Sequence, residues 1–173
     1  MRGKQHLEFG IISGTAVAVS LASVNVLSIP ETIPFVGLSI LGSLFPDIDH
    51  PESSIGKSFP LISNLLFKAI GHRTYTHMIL FWLLVTCGFL LLPKWSLGFI
   101  VGVLGHLYLD ALTIKGIPLF HHKTFHLLPK CMRCHSGSFV SKLYTVLADV
   151  SIIIITVLEM MFFPKIKEFF YAI

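Results

Sequence analysis

Charge is scarce in this chain. Lys, Arg, Asp and Glu make up 13% of its 173 residues, where a soluble domain carries roughly 25%. That is too few ionic groups to coat a globule. The apolar share of 54% and the mean hydropathy of +0.80 exclude a disordered chain by the same reasoning, and collagen-like and coiled-coil classes with it. Internal repeats and low-complexity tracts are absent as well. What remains is one integral membrane domain over residues 1–173. On such a protein the net charge of +4 reports topology, and direct nucleic-acid binding is not expected.

Five apolar stretches carry the membrane reading: 9–29, 33–45, 78–92, 95–112 and 143–163. The first is 21 residues without a charge, enough to cross a hydrocarbon core of about 30 Å. Arg2 and Lys4 precede it as in a signal peptide, but it is longer than a usual signal h-region and lacks a convincing A-x-A cleavage site, so it reads as a retained helix. The second stretch is only 13 residues and follows a Pro30–Pro34 turn, so either a span or a re-entrant dip fits it. The last stops at Pro164. The fold class is therefore all-α, a polytopic bundle of about four to five helices in the lipid bilayer.

Basic residues give the orientation. The N-terminus and the 46–77 and 113–142 loops hold ten of them, against Lys94, Lys165 and Lys167 on the other side. The positive-inside rule puts the ten-residue side in the cytoplasm of an inner-membrane, multi-pass protein.

The same side collects the chemistry. All nine histidines fall on or next to it. His6 precedes the first helix, and Asp47, Asp49 and His50 follow the second. His72 and His77 lead into the third; His106 and Asp110 close the fourth. His106 and Asp110 are i,i+4 and share one helix face. Ionisable groups inside a membrane helix are costly and usually functional. Gly10 and Gly14 on the first helix, and Gly98, Gly102 and Gly105 on the fourth, allow close backbone approach. A His and Asp donor set without thiolate suits Zn²⁺ first, with Mn²⁺ or Fe²⁺ as alternatives. Eight candidates are enough for one or two ions with supporting partners. The metal ligands are read as His6, Asp49, His50, His72, His77, His106 and Asp110. Asp47 is read as the general base, and Arg73 as the cation that holds an anionic substrate.

Several of these residues form ordered blocks. Phe45-Pro46-Asp47-Ile48-Asp49-His50-Pro51 is followed by Ser53-Ser54-Ile55-Gly56. A HRxxTH block holds His72, Arg73, Thr76 and His77, and a GHLxxDxxTxxG block holds Gly105, His106, Leu107, Asp110, Thr113 and Gly116. With His6 and Gly10 before them, they resemble the signature of the YdjM-like family of LexA-binding, inner-membrane-associated metal-dependent hydrolases. The resemblance covers roughly residues 6–120. It implies an all-helical membrane protein distantly similar to zinc-dependent phospholipase C and P1 nuclease. It also implies metal-site roles for His6, Asp49, His72, His77, His106 and Asp110. The chain departs from the pattern at Met78, where the family usually has Ser, and after Gly137-Ser138, where no acid follows until Asp149.

The 113–142 loop has its own motif. Cys131-Met132-Arg133-Cys134-His135 matches C-x-x-C-H, which elsewhere attaches haem outside the cytoplasm. His122, His126, Cys131 and Cys134 together match a second, structural zinc site. Two reduced thiols in a basic loop are the third reading, and Cys87 reads as packing.

The function expected from all this is metal-activated hydrolysis of a phosphoester, on a phospholipid or lipid-linked substrate, at the cytoplasmic face. A metal-ion transporter and a scaffold protein with a structural metal and a protein partner are the alternatives. Metal analysis with a phosphoester screen separates them.

Overall fold

The computed structural model describes residues 3–120 and 123–171, with side chains at 3–119 and 123–162. Seven α-helices and one short hairpin lie among them. They are α1 (Gly3–Ser23), α2 (Ile29–Leu44), α3 (Ser54–Ser58), α4 (Pro60–Ile70), α5 (Ile79–Phe89), α6 (Leu97–Ala111), β1 (Ile117–Phe120), β2 (Lys123–Phe125) and α7 (Phe139–Tyr171).

Helix α2 starts earlier than the prolines suggest. The Glu31 carboxylate accepts hydrogen bonds from the Ser28 backbone N–H (2.8 Å) and hydroxyl (2.7 Å). Pro30 stands in the first turn, where no N–H is needed. The helix runs through Pro34 and passes at Leu44 into a 3₁₀ segment, Phe45–Asp49. The continuous span Ile29–Asp49 is 21 residues, about 31 Å long. With Gly3–Ser23 and Phe139–Phe162 it is one of three helical segments long and apolar enough to cross a membrane. Helix α7 likewise continues through Pro164, which costs it one backbone hydrogen bond. Helices α4 and α5, eleven residues each, reach about 16 Å. Helix α4 lies in what reads as a polar loop in the sequence.

The centre of the bundle is α2, held between α1 and α6 by missing side chains. A Cβ on Gly10 would lie 2.5 Å from Ser43 Cβ, and one on Gly14 would lie 2.5 Å from Ser39 Cβ. On the other face, a Cβ on Gly98 would come to 2.0 Å from Phe35 O, and one on Gly102 to 1.9 Å from Ser39 O. Small residues let the backbones approach, which is how helices associate where lipid removes the hydrophobic drive. Ser39 Oγ adds a cross-helix hydrogen bond to Gly10 O at 2.9 Å. Beyond α6, Trp82, Ile100, Val103, Leu107, Ala111 and Ile117 form an apolar core. Helix α7 docks on α1, where Gln5 Nε2 donates to Thr145 Oγ1 (3.1 Å) and Ser141 Oγ (3.3 Å).

Both turns at the far end meet, with Lys94 Nζ 3.5 Å from Val26 O. The start of α1 and the ends of α2 and α6 therefore share the opposite end.

Candidate metal centre

Each functional side chain comes from a helix end on that layer. His106 is fixed first: its Nδ1 donates to Ser43 O at 2.7 Å, a contact that the close α2–α6 approach allows. Nε2 then carries the lone pair and points inward. His6, one turn into α1, stacks on His106 with ring centroids 3.7 Å apart. His77 Nδ1 lies 3.1 Å from Thr76 Oγ1, and this turns its Nε2 the same way.

Four donors close a ring. Asp47 Oδ1 lies 3.5 Å from His77 Nε2 and 3.7 Å from His106 Nε2. Asp110 Oδ2 lies 3.7 Å from His77 Nε2 and 3.8 Å from His106 Nε2. These four separations are close to the roughly 3.3–3.6 Å between donors that bond one tetrahedral ion at about 2.0–2.2 Å. His6 Nε2 joins from the side, 3.5 Å from Asp110 Oδ1. His6, His77 and Asp110 are essentially inaccessible, and so is His106. His77 Nε2, His106 Nε2 and both His6 nitrogens have no hydrogen-bond partner. Buried polar atoms are rarely left so, and imidazole lone pairs converging on carboxylates fit a divalent cation.

Asp49 stands behind the ring. Its Oδ1 pairs with His72 Nδ1 at 2.7 Å, and its Oδ2 accepts the Arg73 backbone N–H at 3.0 Å and the Thr76 hydroxyl. A carboxylate holding an imidazole this way sets its tautomer and orientation. Asp49, His72 and His77 form a second group within ligand distance, sharing His77 with the ring. The proton affinity of His77 follows from these neighbours. Burial lowers it, but the Asp47 and Asp49 carboxylates outweigh burial, so the pKa stands above the usual 6.5.

Arg73 sits at the mouth. It adopts φ 61°, a left-handed conformation uncommon outside glycine. Its Nη2 pairs with Asp110 Oδ2 at 2.5 Å, and its Nη1 donates to Gly116 O at 3.0 Å, just before β1. Its Nε is buried and unpartnered.

Most of the residues singled out from the sequence thus meet: His6, Asp47, Asp49, His72, Arg73, His77, His106 and Asp110. His50 does not join a ligand group; its ring packs edge-on against His72 at 4.7 Å. Asp149 faces Glu8, Gln5 and Thr145 between α1 and α7 instead of the ring, and Glu159 accepts from Ser20 Oγ at the far end. His122 and His121 lie outside the described residues. His126, Cys131 and Cys134 do not form a group of converging ligands. The His126 imidazole packs on Gly116 and reaches Thr113 O (3.3 Å). Cys134 is buried where its backbone bridges Thr113, and burial pushes its thiol pKa up. Sequence reasoning missed Ser39 and Ser43, although serines at i,i+4 in an apolar helix already marked a polar contact face.

The comparisons cover this same region. Residues 1–124, which include the whole ring, match the model of the YdjM inner membrane protein. The chain is 37% identical over 147 residues to the uncharacterized protein YvsG of Bacillus subtilis (strain 168), covering 83% of this chain and 86% of that one. It is 35% identical over 128 residues to the inner membrane protein YdjM of Escherichia coli (strain K12), covering 69% of this chain and 64% of that one. No solved structure matches. With residues 1–124 matched and a relative of this similarity along most of its length, the chain belongs to the YdjM family of inner membrane proteins.

Proposed function

We propose that the protein is a metal-dependent phosphoester hydrolase working at the cytoplasmic surface of the inner membrane. The observation that carries this reading is the ring of His77, Asp47, His106 and Asp110, in which both buried Nε2 atoms face carboxylates at 3.5–3.8 Å and make no hydrogen bond. An ion there, Zn²⁺ first and Mn²⁺ or Fe²⁺ as alternatives, would supply Lewis acidity and bring the pKa of a bound water down toward neutrality. The adjoining Asp49 and His72 lie within ligand distance of His77 and back the ring.

The residues then divide the work. His6 and His106 stack, and His106 is locked by Ser43 O, so their lone pairs keep a fixed direction. Asp49 orients His72 and holds the Arg73 backbone. Asp47 is the ring member still open to water, with its side chain 20% exposed. It is placed to accept the proton of the attacking water as oxygen bonds to phosphorus and the bond to the leaving oxygen breaks. Arg73, tied down through both Nη atoms, keeps its Nε–H for a phosphate oxygen and for the charge that builds as the bond breaks. The ten-to-three distribution of basic residues supports the cytoplasmic side.

Elemental analysis of the purified protein, followed by a phosphoester screen, tests the reading. Stoichiometric metal with turnover that both fall in His77→Ala is the supporting result. Bound metal without hydrolysis of any phosphoester overturns the enzyme and leaves a structural site.

A further inference from the structure

Beside the polar ring lies a cavity of a different kind. It measures about 640 Å³ between α4, α5 and α6, and is walled by Phe59, Ile62, Leu66, Phe81, Val85 and Phe99. At its inner end stand Thr76, Ile48 and Trp82. Trp82 uses its only N–H on Thr76 O at 2.7 Å, so the groove offers almost nothing but carbon. We infer that this groove receives one hydrocarbon chain of a membrane lipid whose phosphate headgroup lies at the metal ring, which makes the substrate of the proposed hydrolase a phospholipid-like amphiphile.

Continuity with the site is the first argument. Thr76 lines the groove while its hydroxyl donates to Asp49, and the next residue, His77, is a ring member. Ile48 lies between Asp47 and Asp49. Residues that line the groove therefore adjoin ring members in the chain.

What surrounds the groove is the second argument. On α4, Leu61 is 87% exposed and Leu65 69%; on α5, Leu84 is 75% exposed. Two eleven-residue helices with leucines outside as well as inside are covered by acyl chains, so the groove opens into lipid and not into water. Ser63, the buried polar residue of α4, meets the small Gly56, which holds α4 close as a wall.

Charge distribution is the third. With ions bound, the ring and the Arg73 guanidinium would offer an anion its binding partners at one end, and no ionisable side chain lines the groove. An anion joined to a chain matches that pattern; a free phosphate leaves the groove unused, and a neutral hydrocarbon leaves Arg73 Nε unpartnered.

This substrate class rests on the hydrolase reading, and the test keeps the two apart. The full-length, zinc-loaded protein is placed in vesicles containing phosphatidic acid with a diazirine at the end of one acyl chain, and adducts are mapped by mass spectrometry. The expected result is labelling of Phe59, Ile62 and Phe81 at least ten-fold above Leu84 and Leu91, lost in Leu66→Trp and in Ile62→Trp when these variants keep wild-type zinc content. Even labelling of groove and outer leucines overturns the groove. In parallel, turnover of phosphatidic acid is compared with that of water-soluble p-nitrophenyl phosphate. A ten-fold fall in the lipid-to-soluble turnover ratio in Leu66→Trp, absent in Leu84→Trp, supports the substrate class. An unchanged ratio overturns it and leaves the hydrolase standing. Groove-specific labelling without turnover of either compound overturns the hydrolase and retains the chain-binding site.

Discussion

Replacing Gly102 by Ala tests whether the metal ring depends on the spacing of α2 and α6. The added Cβ would lie 1.9 Å from Ser39 O and 2.7 Å from Ser43 N, both backbone atoms that no rotamer change can move. An ordinary C···O contact is about 3.3 Å or more, so α6 must retreat by roughly 1–1.5 Å. The His106 Nδ1–Ser43 O bond, now 2.7 Å, would stretch to about 4 Å and cease to be a hydrogen bond. The ring edge from Asp47 on the α2 side to His106, now 3.7 Å, would open by a similar amount, too wide for bonds of about 2.0–2.2 Å to one ion. Overpacking of this kind costs about 1–3 kcal/mol. The expected outcome is a lowered thermal midpoint in detergent with metal content reduced several-fold. Gly37→Ala, on the same α2 with nothing within 4 Å of its Cβ, is the control; it gains helix propensity of up to about 1 kcal/mol and keeps its metal. Wild-type midpoint and metal content in Gly102→Ala would refute the link between helix spacing and the site.

Three further outcomes follow from the same geometry. His106→Ala and Asp110→Ala should each lose most bound metal while still inserting in the membrane, checked by elemental analysis of membrane-purified protein. Arg73→Ala should retain metal but lose on the order of 10²-fold in phosphoester turnover, the usual size for one transition-state donor; equal loss of metal and turnover would make it a support for Asp110 alone. In detergent, Cys131, which is exposed, should react with maleimide well before Cys134, which is buried with its thiol pKa raised; in intact cells an impermeant maleimide should leave both unmodified if the 113–142 loop is cytoplasmic.

Periodicity and charge marked the long helices well because the bilayer imposes a length on them. α1, α2 and α7 all appear where an apolar run stands, with ends displaced by one to eight residues. The errors have local causes. Pro30 and Pro34 read as a turn, yet Pro30 fits the first turn of a helix capped by Ser28 and Glu31. Helix α4 escaped because Leu61, Ile62, Leu65, Leu66 and Phe67 form too short a run to read as a span. The hairpin of β1 and β2 gave no signal in a basic, histidine-rich loop, although its approach through Gly116 is what anchors Arg73.

Within the site, the sequence marked which residues gather, but its division of roles, with Asp49 as a ligand and Asp47 as the general base, has no geometry behind it. Asp47 and Asp49 are two positions apart in one 3₁₀ segment, so composition and spacing treat them alike. Their surroundings differ. Both Asp49 oxygens are engaged, by His72, the Arg73 backbone and Thr76, whereas Asp47 Oδ1 faces two imidazole nitrogens across 3.5 and 3.7 Å. A carboxylate with its lone pairs used by N–H and O–H groups orients its neighbours; one facing bare lone pairs shares a cation with them. The geometry therefore favours Asp47 at the ion and Asp49 behind it, with Asp47 open enough to water to retain a proton-accepting role. The two asparagine variants separate these parts. Asp47→Asn should weaken metal binding directly. Asp49→Asn keeps an oxygen for one donor but loses the charge that holds His72, so its metal loss should be smaller. Equal metal loss in both would remove the distinction that their hydrogen bonds draw between the two aspartates.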